Sequence, residues 1–417
     1  MNAVHAQGGS CRITGIVLML VALLPSVSEA QTYLEDGPYP VGWSHIVLPN
    51  AHPGTPQLPL TVFYPALMAG TDVPADISGG PYPVLVFGHG GSAKPDEYRD
   101  LLGHIASWGW YVAAPETWDL GPQFKLGADM GATAHVLEDL VAGGGLWAQL
   151  VDPTRMIASG HSLGGGAAVQ AASLDPIFDG VLALAPYNDP DQPLGVPTPA
   201  EAAPYLTGNL MILVGLDDTV TPPYVDALPI YEAARSVSHL RELLVIHDAD
   251  HAVGERLWNE VRASGVAFLE AYMKGAQAEL EWVYGPPAQE SEEHIMYFAV
   301  TAPECIVKQQ GVSASHEVTV YAAAPEGRPV LGLMSWDLGA GTPTYPALGL
   351  ELASLTVLVQ ETLGASQLTI ASEGPVPTSP LPTDTLYFQT LVQDIEGAWS
   401  GSEVRKLELG PGAGAGP

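Results

Sequence analysis

The stretch that decides the fold is Arg155-Met156-Ile157-Ala158-Ser159-Gly160-His161-Ser162-Leu163-Gly164-Gly165-Gly166. A short apolar run leads into Gly-His-Ser-Leu-Gly, and a small-residue helix follows through Ala167, Ala168, Val169, Ala171 and Ala172. Gly-x-Ser-x-Gly between a strand and a helix is the nucleophile elbow, a serine held on a turn too tight for side chains at its flanks. Gly160 and Gly164 supply that room. The same letters also arise in an ordinary Gly-rich βα turn, so the flanks decide. Here a β-like run stands before the motif and a helix former after it.

A serine hydroxyl is a poor nucleophile until an imidazole takes its proton, and the imidazole needs a carboxylate to fix its tautomer. On the fold that carries an elbow, these partners follow in the chain order serine, acid, histidine, on loops beyond strand ends. The run Leu210 to Val214 reads as a strand and is followed by Gly215-Leu216-Asp217-Asp218-Thr219-Val220-Thr221-Pro222. Glu242 to Ile246 reads as the next strand, followed by His247-Asp248-Ala249-Asp250-His251. Ser162, Asp218 and His251 are therefore the expected catalytic residues. Asp217 is the alternative acid. His247 is the weaker base, since it sits at the strand's end whereas His251 opens the following loop and helix. His247, Asp248, Asp250 and His251 are also suitable metal ligands by type. No further His or Cys set stands near them in sequence, so neither a metal nor another cofactor is expected.

An oxyanion needs two backbone N–H donors, each worth about 3 kcal/mol. Leu163, directly after the nucleophile, is the first. The second is expected from Gly88-His89-Gly90-Gly91-Ser92, after the apolar run Pro83 to Phe87, with Gly91 as candidate and Gly90 as alternate. His161, inside the elbow, is grouped with the substrate-binding residues; its other reading, shared with His89, is a histidine packed behind the site.

Working outward, Leu60 to Tyr64 alternates as antiparallel strands do, and Pro83 to Phe87 is continuously apolar, as buried parallel strands are. Helical spacing of Tyr98, Leu101, Leu102, Ile105 and Trp108 follows, then a strand at Tyr111 to Ala114, a loop with Trp118 and a helix near Ala132 to Leu150. Strands at Val181 to Leu184, Leu210 to Val214 and Glu242 to Ile246 and a helix from Glu255 to Lys274 complete the set. This alternation predicts an α/β fold with a mostly parallel sheet flanked by helices. Beyond Gly285-Pro286-Pro287 the runs Val318 to Tyr321, Leu355 to Val359, Leu368 to Ile370 and Leu386 to Val392 are short and β-rich, predicting a C-terminal all-β module, a sandwich. With 417 residues, two domains are the default. The expected division is 1–30 as a signal peptide, 31–287 as the catalytic domain, 288–410 as the β-rich domain and 411–417 as a disordered tail.

The N-terminus carries a sorting signal: Arg12, an apolar run from Ile13 to Leu24, and a small-x-small site at Ser28 and Ala30. That run is too short to span a bilayer comfortably, so the mature chain has no integral membrane segment and is expected to be secreted or periplasmic. After cleavage Cys305 stands alone, which excludes an intrachain disulfide. Acidic residues outnumber basic ones 46 to 14, for a net charge of -32. Such a surface repels nucleic acid and anionic membranes, which leaves small neutral molecules or neutral polymers as partners.

With these residues placed, Tyr39 to Gly285 resembles the secreted α/β-hydrolases of the dienelactone hydrolase, chlorophyllase and bacterial cutinase (polyester hydrolase) group. The resemblance rests on Gly-His-Ser-Leu-Gly-Gly-Gly, on the block Tyr98 to Pro115 with Ile105-Ala106-Ser107-Trp108-Gly109-Trp110, on Asp-Thr-Val-Thr-Pro and on Ala185-Pro186-Tyr187. It implies an α/β-hydrolase fold and a serine carboxylesterase acting on neutral esters through an acyl-enzyme, with polyesters of the PET type within its range. Tyr187 inherits the role of an aromatic residue flanking the bound ester. Two departures stand out: Gly91 occupies the position where cutinases carry an aromatic residue, and their C-terminal disulfide has no counterpart. A lipase or phospholipid acetylhydrolase-like esterase is the alternative within the class. A surface binding protein with a vestigial hydrolase domain is the alternative outside it.

Overall fold

The computed structural model describes residues 33–283, apart from 53–54, 118–122, 238, 252–254, 277–278 and 280–282, and beyond them backbone strands between His294 and Glu408. The expected signal peptide, the loop with Trp118, the boundary at 287 and the tail 411–417 lie outside the described residues.

The chain opens with β1 (Val41–His52), β2 (Thr55–Pro65) and the short β3 (Gly70–Thr71). Next come β4 (Tyr82–Gly88), α1 (Arg99–Ser107), β5 (Tyr111–Pro115), α2 (Gln123–Ala142), α3 (Trp147–Leu150) and β6 (Val151–His161). After the elbow stand α4 (Leu163–Leu174), β7 (Gly180–Leu184), α5 (Pro199–Ala202), β8 (Asn209–Gly215), α6 (Ala227–Ala233) and β9 (Leu240–Ile246). Two helices, α7 (Glu255–Glu260) and α8 (Val266–Met273), lead to β10 (His294–Val300).

Ten strands form one sheet in the order β10-β9-β8-β7-β6-β4-β5-β2-β1-β3. The pairs from β5 through β4, β6, β7 and β8 to β9 are parallel, while β1–β2, β2–β5 and β9–β10 are antiparallel. This is the expected α/β architecture. Every residue of β4 and β5 is buried, because helices cover the middle of the sheet on both faces. On α1 the side chains of Leu101, Leu102 and Ile105 point inward and are at most 1% exposed; each such burial stabilises the fold by about 2 kcal/mol. Helix α4 is buried from Gly164 to Ala172, and its glycines and alanines let it lie close against β4 and β6.

Three features differ from the sequence reading. Helix α2 begins at Gln123 and ends at Ala142, where Gly144 and Gly145 take φ values of +77° and +73° that only glycine adopts easily. The helix expected from Glu255 to Lys274 is interrupted by a π-helical turn at Val261–Gly265. Lastly, β10 lies beyond the boundary expected at 287, yet pairs with β9 over its whole length, from His294 opposite Ile246 to Val300 opposite Leu240. β10 thus extends the sheet past β9 and becomes its edge strand.

Further along, the described strands are β11 (Glu304–Gln310), β12 (Glu317–Ala323), β13 (Pro329–Ser335), β14 (Thr356–Thr362), β15 (Leu368–Ser372), β16 (Thr385–Gln393), β17 (Trp399–Gly401) and β18 (Arg405–Glu408). They form two antiparallel sheets, β11-β12-β15 and β14-β13-β16-β17, with β18 on the side of β16. Among the described residues no helix is long and apolar enough to cross a membrane.

Candidate active site

Ser162 stands between the end of β6 and the start of α4 with φ 56° and ψ −119°, a conformation that costs a non-glycine residue about 1–3 kcal/mol. The turn is closed by steric necessity. A Cβ on Gly160 would lie 2.4 Å from the carbonyl oxygen of Gly164, and one on Gly164 would lie 2.0 Å from that of Gly88. Ser162 is fastened through its own backbone as well: its N–H donates to Leu184 O at 2.9 Å, and its carbonyl accepts from Tyr187 N–H at 2.9 Å.

The loops after β8 and β9 bring the other two residues to it. His251 Nε2 lies 3.0 Å from Ser162 Oγ, and His251 Nδ1 lies 2.8 Å from Asp218 Oδ2. Asp218 is 3% exposed, whereas its neighbour Asp217 faces solvent. Burial raises the Asp218 carboxyl, but hydrogen bonds from His251 and Thr221 outweigh it and hold the group below the usual carboxylate range. Asp218 Oδ1 accepts the N–H groups of Val220 and Thr221 at 2.9 and 2.8 Å. From the run His247 to His251, His251 is the residue whose ring stands beside Ser162 Oγ. Among the described residues no group of three or more His, Cys, Asp or Glu could hold a metal ion.

Leu163 N–H belongs to the first residue of α4, where amides have no partner within the helix. Gly90 N–H donates to the Tyr98 hydroxyl at 3.0 Å, which occupies the alternate donor and favours Gly91. Gly91 is exposed, and a Cβ there would meet nothing within 4 Å.

Tyr187 lies half-buried on the loop after β7, and burial together with Asp189 and Asp226 raises its phenol. His161 departs from the substrate-binding role expected of it. It is 4% exposed, lies behind His251 with ring centroids 4.9 Å apart, and spends its ring nitrogens on Tyr98 and on the His251 carbonyl. Burial and the neighbouring His251 push its pKa down to about 4, so it stays neutral. His89 is likewise buried, with Nδ1 2.9 Å from Gly90 O.

Other participants went unnoticed in the chain. Gln123, fully buried at the start of α2, donates from Nε2 to Leu163 O at 3.1 Å and to Tyr187 O at 2.7 Å, joining the elbow to the aromatic loop. Asp226 is 4% exposed and accepts Asn188 N–H at 2.9 Å; burial holds its carboxyl above the usual range. Gln123 carried no local signal, and the spacing offered Tyr98 only as an apolar position of a helix.

Together these groups can hold a serine oxygen beside a base whose tautomer is fixed, with amide donors alongside. Among curated proteins none matches the chain. The family model described as Chlorophyllase matches residues 31–179, a segment that contains β4, β6, the elbow and the oxyanion candidates and stops short of Asp218 and His251. Residues 31–179 are thus similar to the Chlorophyllase family, and the mostly parallel sheet flanked by helices is an α/β fold.

Proposed function

We propose that this protein is a secreted serine carboxylesterase that hydrolyses neutral esters through an acyl-enzyme intermediate. The observation that carries the reading is the 3.0 Å approach of His251 Nε2 to Ser162 Oγ on a strained elbow, with His251 Nδ1 held by a buried Asp218. His251 takes the Ser162 proton as Oγ attacks the ester carbonyl, forming a C–O bond while the carbonyl π electrons move onto oxygen. The amides of Leu163 and Gly91 receive that oxyanion. Collapse breaks the bond to the alkoxy group, which leaves as an alcohol with the proton from His251. Water, deprotonated by the same imidazole, then attacks the acyl carbon; the bond to Ser162 Oγ breaks, His251 returns the proton to that oxygen, and the acid is released. Asp218 remains ionised throughout and steadies the imidazolium.

The net charge of -32 turns the enzyme away from anionic surfaces and toward neutral esters. Tyr187 offers one aromatic wall, and the segment from Ala185 to Gly208 carries among its described elements only the four-residue α5 and a three-residue 3-10 turn, which supports an open cleft over a lipase-like lid. Polyesters of the cutinase type belong to the range of substrates proposed. The test is a p-nitrophenyl ester series from acetate to palmitate, run beside a polyester film and beside labelling by a fluorophosphonate. One label at Ser162 and a Ser162→Ala variant that neither labels nor turns over ester are expected. Turnover near wild type in that variant would refute the reading.

A further inference from the structure

Tyr98 belongs to none of the motifs that define the site, yet it lies at its back. The side chain is 3% exposed and packs against Phe87, His161 and Trp258, with centroids 4.9, 5.8 and 6.1 Å away. Its hydroxyl accepts Gly90 N–H at 3.0 Å and lies 3.0 Å from His161 Nδ1. On the other side of that ring, His161 Nε2 lies 3.2 Å from the carbonyl oxygen of His251.

The direction of this chain follows from elementary donor counting. A carbonyl only accepts, so His161 Nε2 carries the ring proton. Nδ1 of the neutral ring is then an acceptor, and the Tyr98 hydroxyl must donate to it. That leaves the hydroxyl oxygen to accept from Gly90. Gly90 N–H, Tyr98 O–H and His161 Nε2–H thus all point one way, from the loop after β4 to the backbone of His251. Neutral His161, kept so by burial and by His251, is what this direction requires. Space is tight as well: a Cβ on Gly90 would come 2.8 Å from the Tyr98 hydroxyl and 3.6 Å from Ser162 Cβ.

We propose that Tyr98 is a positioning residue, which through His161 locks the oxyanion loop to the backbone of the base. By consuming Gly90 N–H it fixes that peptide and leaves Gly91 as the donor to the oxyanion. The proposal rests on the reading of Ser162, His251 and Asp218 as a triad. Its effect is felt where charge develops on the carbonyl oxygen, in the transition state and not in the bound ester.

Tyr98→Phe tests this, because it removes only the hydroxyl and keeps the packed ring. Expected is a fall in kcat of about tenfold, in line with one lost hydrogen bond, with KM unchanged and an equal fall in the rate of fluorophosphonate labelling. His161→Phe, which keeps a ring and removes both nitrogens, should act in the same way. In the double variant the two losses should not multiply, since either one cuts the same chain. Should Tyr98→Phe fail to fold, His161→Phe carries the test by the same split between kcat and KM. Wild-type kcat and labelling rate in a folded Tyr98→Phe, or losses that multiply in the double variant, would overturn the relay. Ser162→Ala, run in parallel, separates the two hypotheses. If it retains turnover, the triad itself fails; if it is dead while Tyr98→Phe is fully active, the triad stands and the relay falls.

Discussion

Thr221 donates its hydroxyl to Asp218 Oδ2 at 2.7 Å and lies 3.1 Å from His251 Nδ1. The hydroxyl therefore sits in the angle between the acid and the base, fully buried. It helps hold Asp218 ionised and lies against the same Nδ1 of His251 that the acid holds. Thr221→Val keeps the shape and removes the donor. Loss of one hydrogen bond to a charged group should lower kcat about tenfold. Asp218→Asn should cost far more, on the order of 10³–10⁴-fold, because the tautomer itself is then wrong. Asp217→Asn, on the exposed neighbour, should leave kcat near wild type. Steady-state kinetics on a p-nitrophenyl ester distinguishes the three; a large loss at Asp217 would reverse the assignment.

Gly91 has open space around its missing side chain, and its φ lies outside the left-handed region. Gly91→Phe should therefore fold normally, with an unchanged melting temperature. It should add a second aromatic wall beside Tyr187, raising kcat/KM for p-nitrophenyl benzoate over acetate by about fivefold, the worth of one aromatic stack. Tyr187→Ala should move the same ratio in the opposite direction. An unmoved ratio in both variants would exclude Tyr187 and Gly91 from the substrate cleft.

Glu242 on β9 is wholly buried, and among the described residues neither of its carboxyl oxygens finds a hydrogen-bond partner. Burial, with a further contribution from Glu260, raises its pKa well above the ordinary carboxylate value of 4.5. The folded state therefore keeps its proton at pH values where the unfolded chain has lost it. Stability from this group is intact below the unfolded pKa and declines as pH rises through the folded pKa. Glu242→Gln should flatten the decline in melting temperature between pH 5 and 8, a window taken from the direction of the shift and the range in which unfolded carboxylates are ionised. Glu242→Met should in addition raise stability at neutral pH by about 1 kcal/mol, since it removes an unsatisfied polar group. Parallel thermal melts of the three proteins across that range provide the check.

The pairing of β10 with β9 predicts different fates for two truncations. A chain ending at Pro287 leaves the backbone edge of β9 open from Leu240 to Ile246, close to the loop that carries His251. An open hydrophobic edge of this kind invites self-association. That protein should aggregate or melt at lower temperature, whereas a chain ending at Ala302 keeps the edge strand and should remain monomeric and hydrolyse small esters. Size-exclusion chromatography and melting curves of both truncations decide the matter. Equal behaviour would mean that β10 contributes nothing to the catalytic sheet.

What was legible in the chain was whatever depends on residues close together in it. The elbow could be read because the clashes that forbid side chains at Gly160 and Gly164 arise from a turn of a few residues. The buried strands β4 and β8 could be read because helices on both faces demand continuous apolar runs. The order of Ser162, Asp218 and His251 followed from the succession of strands and loops, which is a property of the chain. Tertiary structure alone decided the rest. It set Asp218 against Asp217 by burying one and exposing the other, and it buried His161 against the ring of His251. Gln123 meets Leu163 and Tyr187, and Tyr98 meets Gly90 and His161, across gaps in the chain that no periodicity spans. The same holds for β10, whose place is set by the open edge of a strand some fifty residues earlier, about the length of one βαβ crossover and more. Local sterics and periodicity are written residue by residue, whereas hydrogen bonds between distant polar groups come into being only when folding brings their partners within 3 Å or so, at the usual bonding distance.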